Sequence, residues 1–473
     1  MTAPTPEPWR EAVRRWLATS GARVHMMGIG GIGMAGLAYL LQAKQQQVTG
    51  CDEGQPRTLD WLRACGIPVA ARHSPAHLTG ADWAVYSPAL QPDQPERRAA
   101  EAHLPLFCRG QVLPVLAEQW RTLAVAGTHG KTTTSSMITH ILRECGQDPS
   151  WCIGGELPPE DAPAGMGRSD WLVVEADESD GTLAHYAPEV SIITNIEFDH
   201  MDHFATEDAM RACFRRLAGQ TQNRVIGCAE DPEAMRLTRQ AAGWLYGFSP
   251  DADIRAEALR PDEAGTSFQI RFKQEKAVPV RLPLTGRHMV LNALAAVAAA
   301  RTCGVLMEQA ADCLARFQLP RRRFEPVAEQ NGIRILADYA HHPSEIRALI
   351  DSVRQAGAAR IIAVFQPHRY TRTKALGTAF PSAFEGVDHV VLAPVYAASE
   401  VPLEGGTSED LLRHFVSQKV ASVELARDLP DAARRVAAQW KSGDWILLVG
   451  AGDIEALGPM LRSALGSSRH MLQ

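Results

Sequence analysis

Thr122–Thr134 reads TLAVAGTHGKTTT. The apolar run Leu123–Ala126 predicts a buried strand, Gly127–Gly130 a glycine-flanked turn, and Ser135–Cys145 a helix introduced by Lys131 and a row of hydroxyls. Strand, glycine-rich turn and helix N-terminus together cradle a nucleotide polyphosphate. Backbone N–H groups and the helix dipole point at the anion, and a lysine adds a fixed positive charge. Val125 stands where the general pattern G-x-x-x-x-G-K-[ST] has its first glycine, which leaves the tighter Gly127-Thr128-His129-Gly130-Lys131-Thr132. This predicts an ATP site on an α/β sheet, with Lys131 across the β- and γ-phosphates and the Thr132 hydroxyl on Mg²⁺.

Outward from this loop the chain alternates strand-like and helix-like runs in three segments, the grammar of parallel α/β sheets. The first runs through Val24–Met27, Val48–Cys51 and Trp83–Ser87, with a proline-rich surface loop at Gln91–Glu96. The second holds Trp171–Val174, Val190–Thr194 and Val225–Cys228, then short alternating runs in Phe248–Leu284 that predict antiparallel strands, then an Ala-rich helix Asn292–Arg301. The third holds Ile333–Ala337, Ile361–Phe365, Val390–Ala393 and Trp445–Val449. The expected division is 1–120, 121–320 and 321–473: two Rossmann-like units flanking a P-loop ATPase-type unit with an added small antiparallel sheet.

Composition excludes several classes. A length of 473 residues suits about three domains. The net charge of −6, with acids and bases interspersed, disfavours nucleic acid as a main partner. Nine cysteines without a C-x-x-C fit a reducing compartment, not a disulfide framework. The N-terminus lacks the apolar core of a signal peptide and reads as a polar lead followed by an amphipathic helix. Met26–Ala43 carries no charge, but its clustered glycines after RVHMM make it a strand–turn–helix and not a membrane span. A cytoplasmic chain, monomer or homodimer, is expected.

Five further constellations carry chemistry. Gly28-Ile-Gly30-Gly31-Ile-Gly33 satisfies G-x-G-x-x-G after a strand and before a helix, with Asp52 ending the next strand. It predicts a diphosphate site that suits NAD and a UDP group equally. Glu175-Ala-Asp177-Glu178-Ser-Asp180 follows a buried strand, and Glu175 is the preferred Mg²⁺ ligand. Asn195–His203 places His200 and His203 among acids, which suits a second Mg²⁺ at His200 or, alternatively, zinc. Finally Asp338–Pro343, preceded by Arg321-Arg322-Arg323, and Gln366–Arg372 lie after strands at one sheet edge, where paired arginines suit carboxylate or phosphate.

The ordered motifs GIGGIGM, AGTHGKTTT, EADESD, TNIEFDHMD, GRHMVLNA, RRRFE, DYAHHP and FQPHRYTRT resemble the Mur ligase family over nearly the whole chain. Members of that family join an acid to an amine at the expense of ATP. The resemblance implies a UDP-sugar site at Gly28, Gly30, Gly31 and Gly33 with Asp52 and Ser87. It implies ATP at Gly127, Thr128, His129, Gly130, Lys131, Thr132 and Thr133, with Asn292 near the adenine and Arg323 and Asp338 completing the site. Metal ligands would be Thr132, Glu175 and His200, and Lys131, Glu175, His200, Arg323 and Asp338 would be catalytic. His341, Arg369 and Arg372 would face the acyl substrate and the incoming amino acid. The implied substrates are UDP-N-acetylmuramate, L-alanine and ATP with two Mg²⁺ ions, and the alternative amine is a murein tripeptide. Later ligases of the pathway use a carbamylated lysine just beyond the DH motif, and no lysine lies between Lys131 and Lys273 here. Met289 replaces a usual asparagine, Ala340 a usual glycine, and Gln111 a common glutamate.

Overall fold

The computed structural model describes residues 7–199, 203–398 and 400–467. Its three sheets position the motifs. In the N-terminal sheet, Arg23–Met27 is central, with Gln47–Cys51 and then Val69–Ala70 on one side and Trp83–Tyr86 and then Leu106–Cys108 on the other, all parallel. The strand order therefore reverses at Arg23–Met27. A crevice opens there beyond the carboxyl ends of the strands. The turn at Gly28 lies in it, and the helix Ile32–Ala43 follows. The amphipathic N-terminal helix is Pro8–Ala18.

The central sheet has ten strands. The strand Arg121–Ala126, buried from Thr122 onward, lies between Trp171–Glu175 and Val190–Ile193 and pairs parallel with both. Burial on both faces explains its continuous apolar reading. The same pairing puts the acidic run after Glu175 and the segment Thr194–Glu197 on either side of the phosphate loop. The antiparallel strands expected within Phe248–Leu284 are Ile254–Asp262, Gly265–Phe272 and Val278–Leu282. They extend the main sheet, since Ile254 pairs parallel with Tyr246 of Trp244–Gly247.

The helix Lys131–Glu144 turns Met137, Ile138, Ile141 and Leu142 into the core. Against it packs the helix Arg287–Thr302, whose run Ala293–Ala300 is almost wholly inaccessible. Small side chains let the two backbones approach, which fixes Asn292 beside the start of the phosphate helix. Each large apolar side chain buried here contributes about 1.5–3 kcal/mol.

The C-terminal sheet runs Glu325–Gln330, Ile333–Asp338, Asp444–Val449, Arg360–Phe365, His389–Leu392 and Ser422–Leu425, parallel except for the first pair. Asp338 and Gln366 thus emerge at the same edge. Among the described residues no helix is long and apolar enough to cross a membrane.

Candidate active site

The phosphate loop is built as its sequence predicts. Gly130 caps the helix Lys131–Glu144 with φ +80°, a left-handed conformation that glycine adopts without strain. The Lys131 ammonium donates to the Gly127 carbonyl at 2.6 Å and to Glu178 at 2.8 Å. Burial opposes the charge on Lys131, but Glu178, Asp177 and Glu175 outweigh it and hold its pKa above the ordinary value. The Thr132 hydroxyl donates to Glu175 Oε2 at 2.9 Å, and the Gly154 N–H donates to the same oxygen at 2.8 Å. Burial raises the Glu175 carboxyl, with Lys131 opposing. Thr132 and Glu175 together present hard oxygen donors, the chemistry that Mg²⁺ selects. His200, expected beside a second Mg²⁺, lies outside the described residues.

The segment after Val190–Ile193 clamps the loop. Thr128 N–H donates to the Asn195 carbonyl at 3.0 Å. His129 N–H donates to Asn195 Oδ1 at 2.9 Å, and Thr194 Oγ1 donates to the His129 carbonyl at 2.6 Å. The His129 ring bridges two units, with Nε2 2.9 Å from Glu197 and Nδ1 3.2 Å from Glu345. Burial disfavours its cation, but the hydrogen bonds to Glu197 and Glu345 outweigh this and raise its pKa to about 9. A folded-state pKa above the unfolded one stabilises fully below the unfolded value of 6.5, and the contribution disappears as pH rises through about 9. Urea midpoints are therefore expected to fall across that window in the wild-type chain. The His129→Gln profile should be flatter there.

Two cavities meet at this loop. The smaller, about 310 Å³, is lined by Gly130, Thr133, His288, Asn292, Arg323 and Asp338, among others. Asn292 also accepts from the Thr134 hydroxyl at 3.3 Å. Desolvation raises the Asp338 carboxyl, with Arg323 opposing, and it accepts the N–H groups of Phe324 and Ala340, each at 2.8 Å. The larger cavity, about 1090 Å³, touches all three units: Gly28, Gly30, Gly31, Asp52 and Ser87 from the first, Thr132 and Glu156 from the second, Arg321–Arg323 from the third. Arg323 lines both cavities.

In the first unit, Gly28 has φ +72° and leads the chain around the crevice. Its N–H donates to the Cys51 carbonyl at 2.9 Å. Asp52 accepts the N–H groups of Gly30 and Gly54 at 2.8 Å each, so its carboxylate fixes the loop while also facing the cavity. Gly33 faces elsewhere: a Cβ there would come 2.7 Å from Arg109 Nη1. Arg109 in turn reaches Asp177 at 3.2 Å and Asp180 at 3.8 Å, which ties the first unit to the acidic run.

In the third unit, His341 is pushed down to about 4 by burial, with Glu345 opposing, and its Nδ1 lies 3.0 Å from the Tyr339 carbonyl. Arg372 lies on Asp199 of the central unit, with Nε–Oδ1 at 3.3 Å and Nη2–Oδ2 at 3.2 Å. Arg369 has φ +70°, and its N–H donates to the Tyr396 carbonyl at 2.9 Å. The cavity walls therefore bring together most of the glycines, Asp52, Ser87, Thr132, Asn292, Arg323 and Asp338. His341, Arg369 and Arg372 stand outside them.

Sequence reasoning missed Ser344 and Glu345. Both line the smaller cavity, and the Ser344 hydroxyl donates to Glu197 at 2.7 Å. A signal was present: His342-Pro343-Ser344-Glu345 opens the helix Pro343–Gln355 with proline in its first turn and Glu345 at the capping-box position.

Family models match most of the chain. A Mur ligase family catalytic-domain model matches residues 23–121, a Mur ligase middle-domain model 125–300, and a Mur ligase glutamate-ligase-domain model 322–452. The chain is 40% identical to UDP-N-acetylmuramate–L-alanine ligase of Rhizobium meliloti (strain 1021), over 91% of this chain and 94% of that one. It is also 40% identical to the ligase of the same name from Kineococcus radiotolerans, over 94% and 96%. Among solved structures it is similar to the UDP-N-acetylmuramate–alanine ligase of Thermotoga maritima, with TM-score 0.81, 26% identity, and coverage of 94% and 99%. A murein peptide ligase from Psychrobacter arcticus 273-4 matches with TM-score 0.73, 25% identity, and coverage of 94% and 99%.

Proposed function

We propose, because the chain belongs to the Mur ligase family, that it joins L-alanine to the lactoyl carboxylate of UDP-N-acetylmuramate, with ATP converted to ADP and phosphate. The observation that carries this reading is the larger cavity, whose wall includes the glycine loop of the first unit, Thr132 of the phosphate loop and Arg321–Arg323 of the third. A UDP-sugar acid lying along it has its diphosphate at Gly28–Gly31 and its carboxylate toward the phosphate loop. The smaller cavity, floored by Asn292, takes the adenosine. In this reading residues 1–120, 121–320 and 321–473 are the UDP-sugar, ATP and ligase domains of a cytoplasmic enzyme.

A carboxylate resists an amine because its charge repels nucleophiles and oxide is a poor leaving group. A carboxylate oxygen attacks the γ-phosphorus and ADP departs, leaving an acyl phosphate. The neutral amine of L-alanine then adds to the acyl carbon. The resulting tetrahedral intermediate expels phosphate, and the nitrogen loses its proton. Lys131 offsets charge on the transferring phosphoryl group, and Arg323, at the junction of the cavities, faces the same region. Thr132 and Glu175, with His200, are the residues that would hold Mg²⁺, which when bound neutralises phosphate charge. His341 and Arg369 are assigned to the amino-acid end, and Arg372 is held on Asp199. Contacts of Glu345, Ser344 and Arg372 with the central unit keep water from the acyl phosphate.

Phosphate release measured with and without each substrate tests the reading. Release that requires ATP, UDP-N-acetylmuramate and L-alanine together is expected. Release supported by murein tripeptide and not by alanine would replace the amine, and silence with both would overturn the assignment. A sharper result is expected from Gly30→Ala. The new Cβ would lie 2.8 Å from both Asp52 Oδ2 and Pro56 Cγ. Overpacking of about 1–3 kcal/mol converts to a rise of about 5- to 150-fold in KM for the UDP sugar. The KM for ATP should stay unchanged in the same initial-rate measurements.

A further inference from the structure

Away from the phosphate loop, the N-terminal unit buries a second set of reactive side chains. His25 lies on Arg23–Met27, Cys51 ends the adjacent strand Gln47–Cys51, His77 is on the helical turn Pro75–Leu78, and Glu96 is in the first turn of the helix Pro95–His103. Glu96 and Cys51 are wholly inaccessible, His25 is 2% exposed, and only the His77 side chain reaches the surface. Their donor atoms all lie within 4.8 Å of one another. Cys51 Sγ is 3.0 Å from Glu96 Oε2 and 3.5 Å from His25 Nε2. Glu96 Oε1 is 3.1 Å from His25 Nε2 and 3.0 Å from His77 Nδ1.

We propose that Cys51, His25, His77 and Glu96 form a four-coordinate site for a zinc-class divalent cation. Metal bonds of about 2.0–2.3 Å place tetrahedral donors roughly 3.3–3.8 Å apart, close to the spacing observed. One sulfur, two imidazole nitrogens and one carboxylate suit zinc and not magnesium or calcium, which take oxygen. Charge supports the same choice. A thiolate and a carboxylate balance a dication, so the loaded site is neutral where an unbalanced charge is costly. The outer shell is also in place. His25 Nδ1 lies 3.0 Å from the Thr49 hydroxyl, an arrangement that orients the ring and leaves Nε2 for the ion.

His73 links this cluster to the catalytic cavity. Its Nδ1 is 3.1 Å from Cys51 Sγ and 3.0 Å from Glu96 Oε2, and its ring lines the larger cavity. The Cys51 carbonyl also accepts the N–H groups of Gly28 and Ile29. The ion therefore braces the floor of the glycine loop. Binding releases a proton, because a coordinating thiol is deprotonated.

Cobalt(II) titration of the tag-free, metal-stripped full chain, without nucleotide or magnesium, tests this site independently of the ligase reading. The expected result is one equivalent of cobalt with a thiolate-to-metal charge-transfer band and tetrahedral d–d bands. Cobalt loading should release about one proton per ion in weak buffer, and added zinc should erase both bands without further release. Cys51→Ser should remove the charge-transfer band. The more exposed His77→Gln should weaken binding if the serine variant fails to fold, and Thr49→Val should weaken it about 10–100-fold. Cobalt bound without a sulfur band overturns the proposal, as does a band that survives in Cys51→Ser. The absence of any stoichiometric binding overturns it as well.

Discussion

Lys131→Ala is expected to reduce ATP-dependent phosphate release by at least about 10³-fold, because a fixed positive charge on the transferring phosphoryl group acts mainly in the transition state. The same substitution disturbs the fold, and the two effects must be separated. Lys131 pairs at 2.8 Å with Glu178, whose side chain is wholly inaccessible. Removing one partner of a buried pair destabilises by about 3–5 kcal/mol, since the remaining charge loses its compensation. Thermal unfolding of Lys131→Ala should therefore show a lowered midpoint. Glu178→Gln in the same background should recover most of that midpoint by removing the stranded charge. It should recover none of the rate. A Lys131→Ala enzyme within tenfold of wild type would remove the ammonium from the mechanism. A double variant that regained activity with stability would reduce Lys131 to a structural role.

The two glycine-rich turns were legible in the sequence because their requirements are local. Gly28 and Gly130 turn the chain through positive φ; Gly130 itself caps the helix Lys131–Glu144, and the turn begun at Gly28 leads through Gly31 into the helix Ile32–Ala43. Buried strands such as Leu123–Ala126 and Ile361–Phe365 announced themselves as continuous apolar runs, since both faces of these sheets are covered. The resemblance to the Mur ligases rested on such local motifs, and the family models match residues 23–121, 125–300 and 322–452. Strands held by their neighbours were not legible. Val69–Ala70 has two residues, Ala162–Gly165 is the weak former APAG, and Glu325–Gln330 is half polar with a proline. Each exists because an adjacent strand supplies the hydrogen bonds.

The site divides along the same line. Thr132 and Glu175 come together because parallel strands put the ends of Arg121–Ala126 and Trp171–Glu175 side by side, which the apolar runs already implied. Arg109 and Gly33 could not be paired from sequence, because their contact depends on how the helix Arg109–Ala117 lies against the glycine loop. Glu197 and Ser344 meet from different units, 147 residues apart. The cluster of His25, Cys51, His77 and Glu96 has no local spacing at all, and single cysteines without C-x-x-C gave no reason to join them.

Arg372 is the position where a motif reading and the packed structure suggest different work, and a mutant cycle separates them. FQPHRYTRT implied that Arg372 grips a substrate carboxylate beside Arg369. In the structure its guanidinium meets Asp199 through two nitrogens, and both side chains are less than a tenth exposed. Nη1 lies 3.3 Å from His368 Nδ1. Burial, then His341 and Arg372, push His368 down to about 2, so that ring is neutral at physiological pH. Asp199 follows the loop clamp of the central unit, and Arg372 lies in the helix Tyr370–Leu376 of the third. The pair therefore latches the two units together around the phosphate loop. Truncating one partner of a buried, hydrogen-bonded charge pair costs about 2–5 kcal/mol, which predicts a fall of at least about 30-fold in kcat/KM for Arg372→Met. Arg372→Lys should recover little, because one ammonium cannot make the side-on contact. Asp199→Asn should cause a loss of similar size. The double variant should fall barely below either single one, because once the latch is broken there is little left to lose. Losses that simply add, concentrated in KM for the acyl substrate or the amino acid, would instead return Arg372 to the substrate.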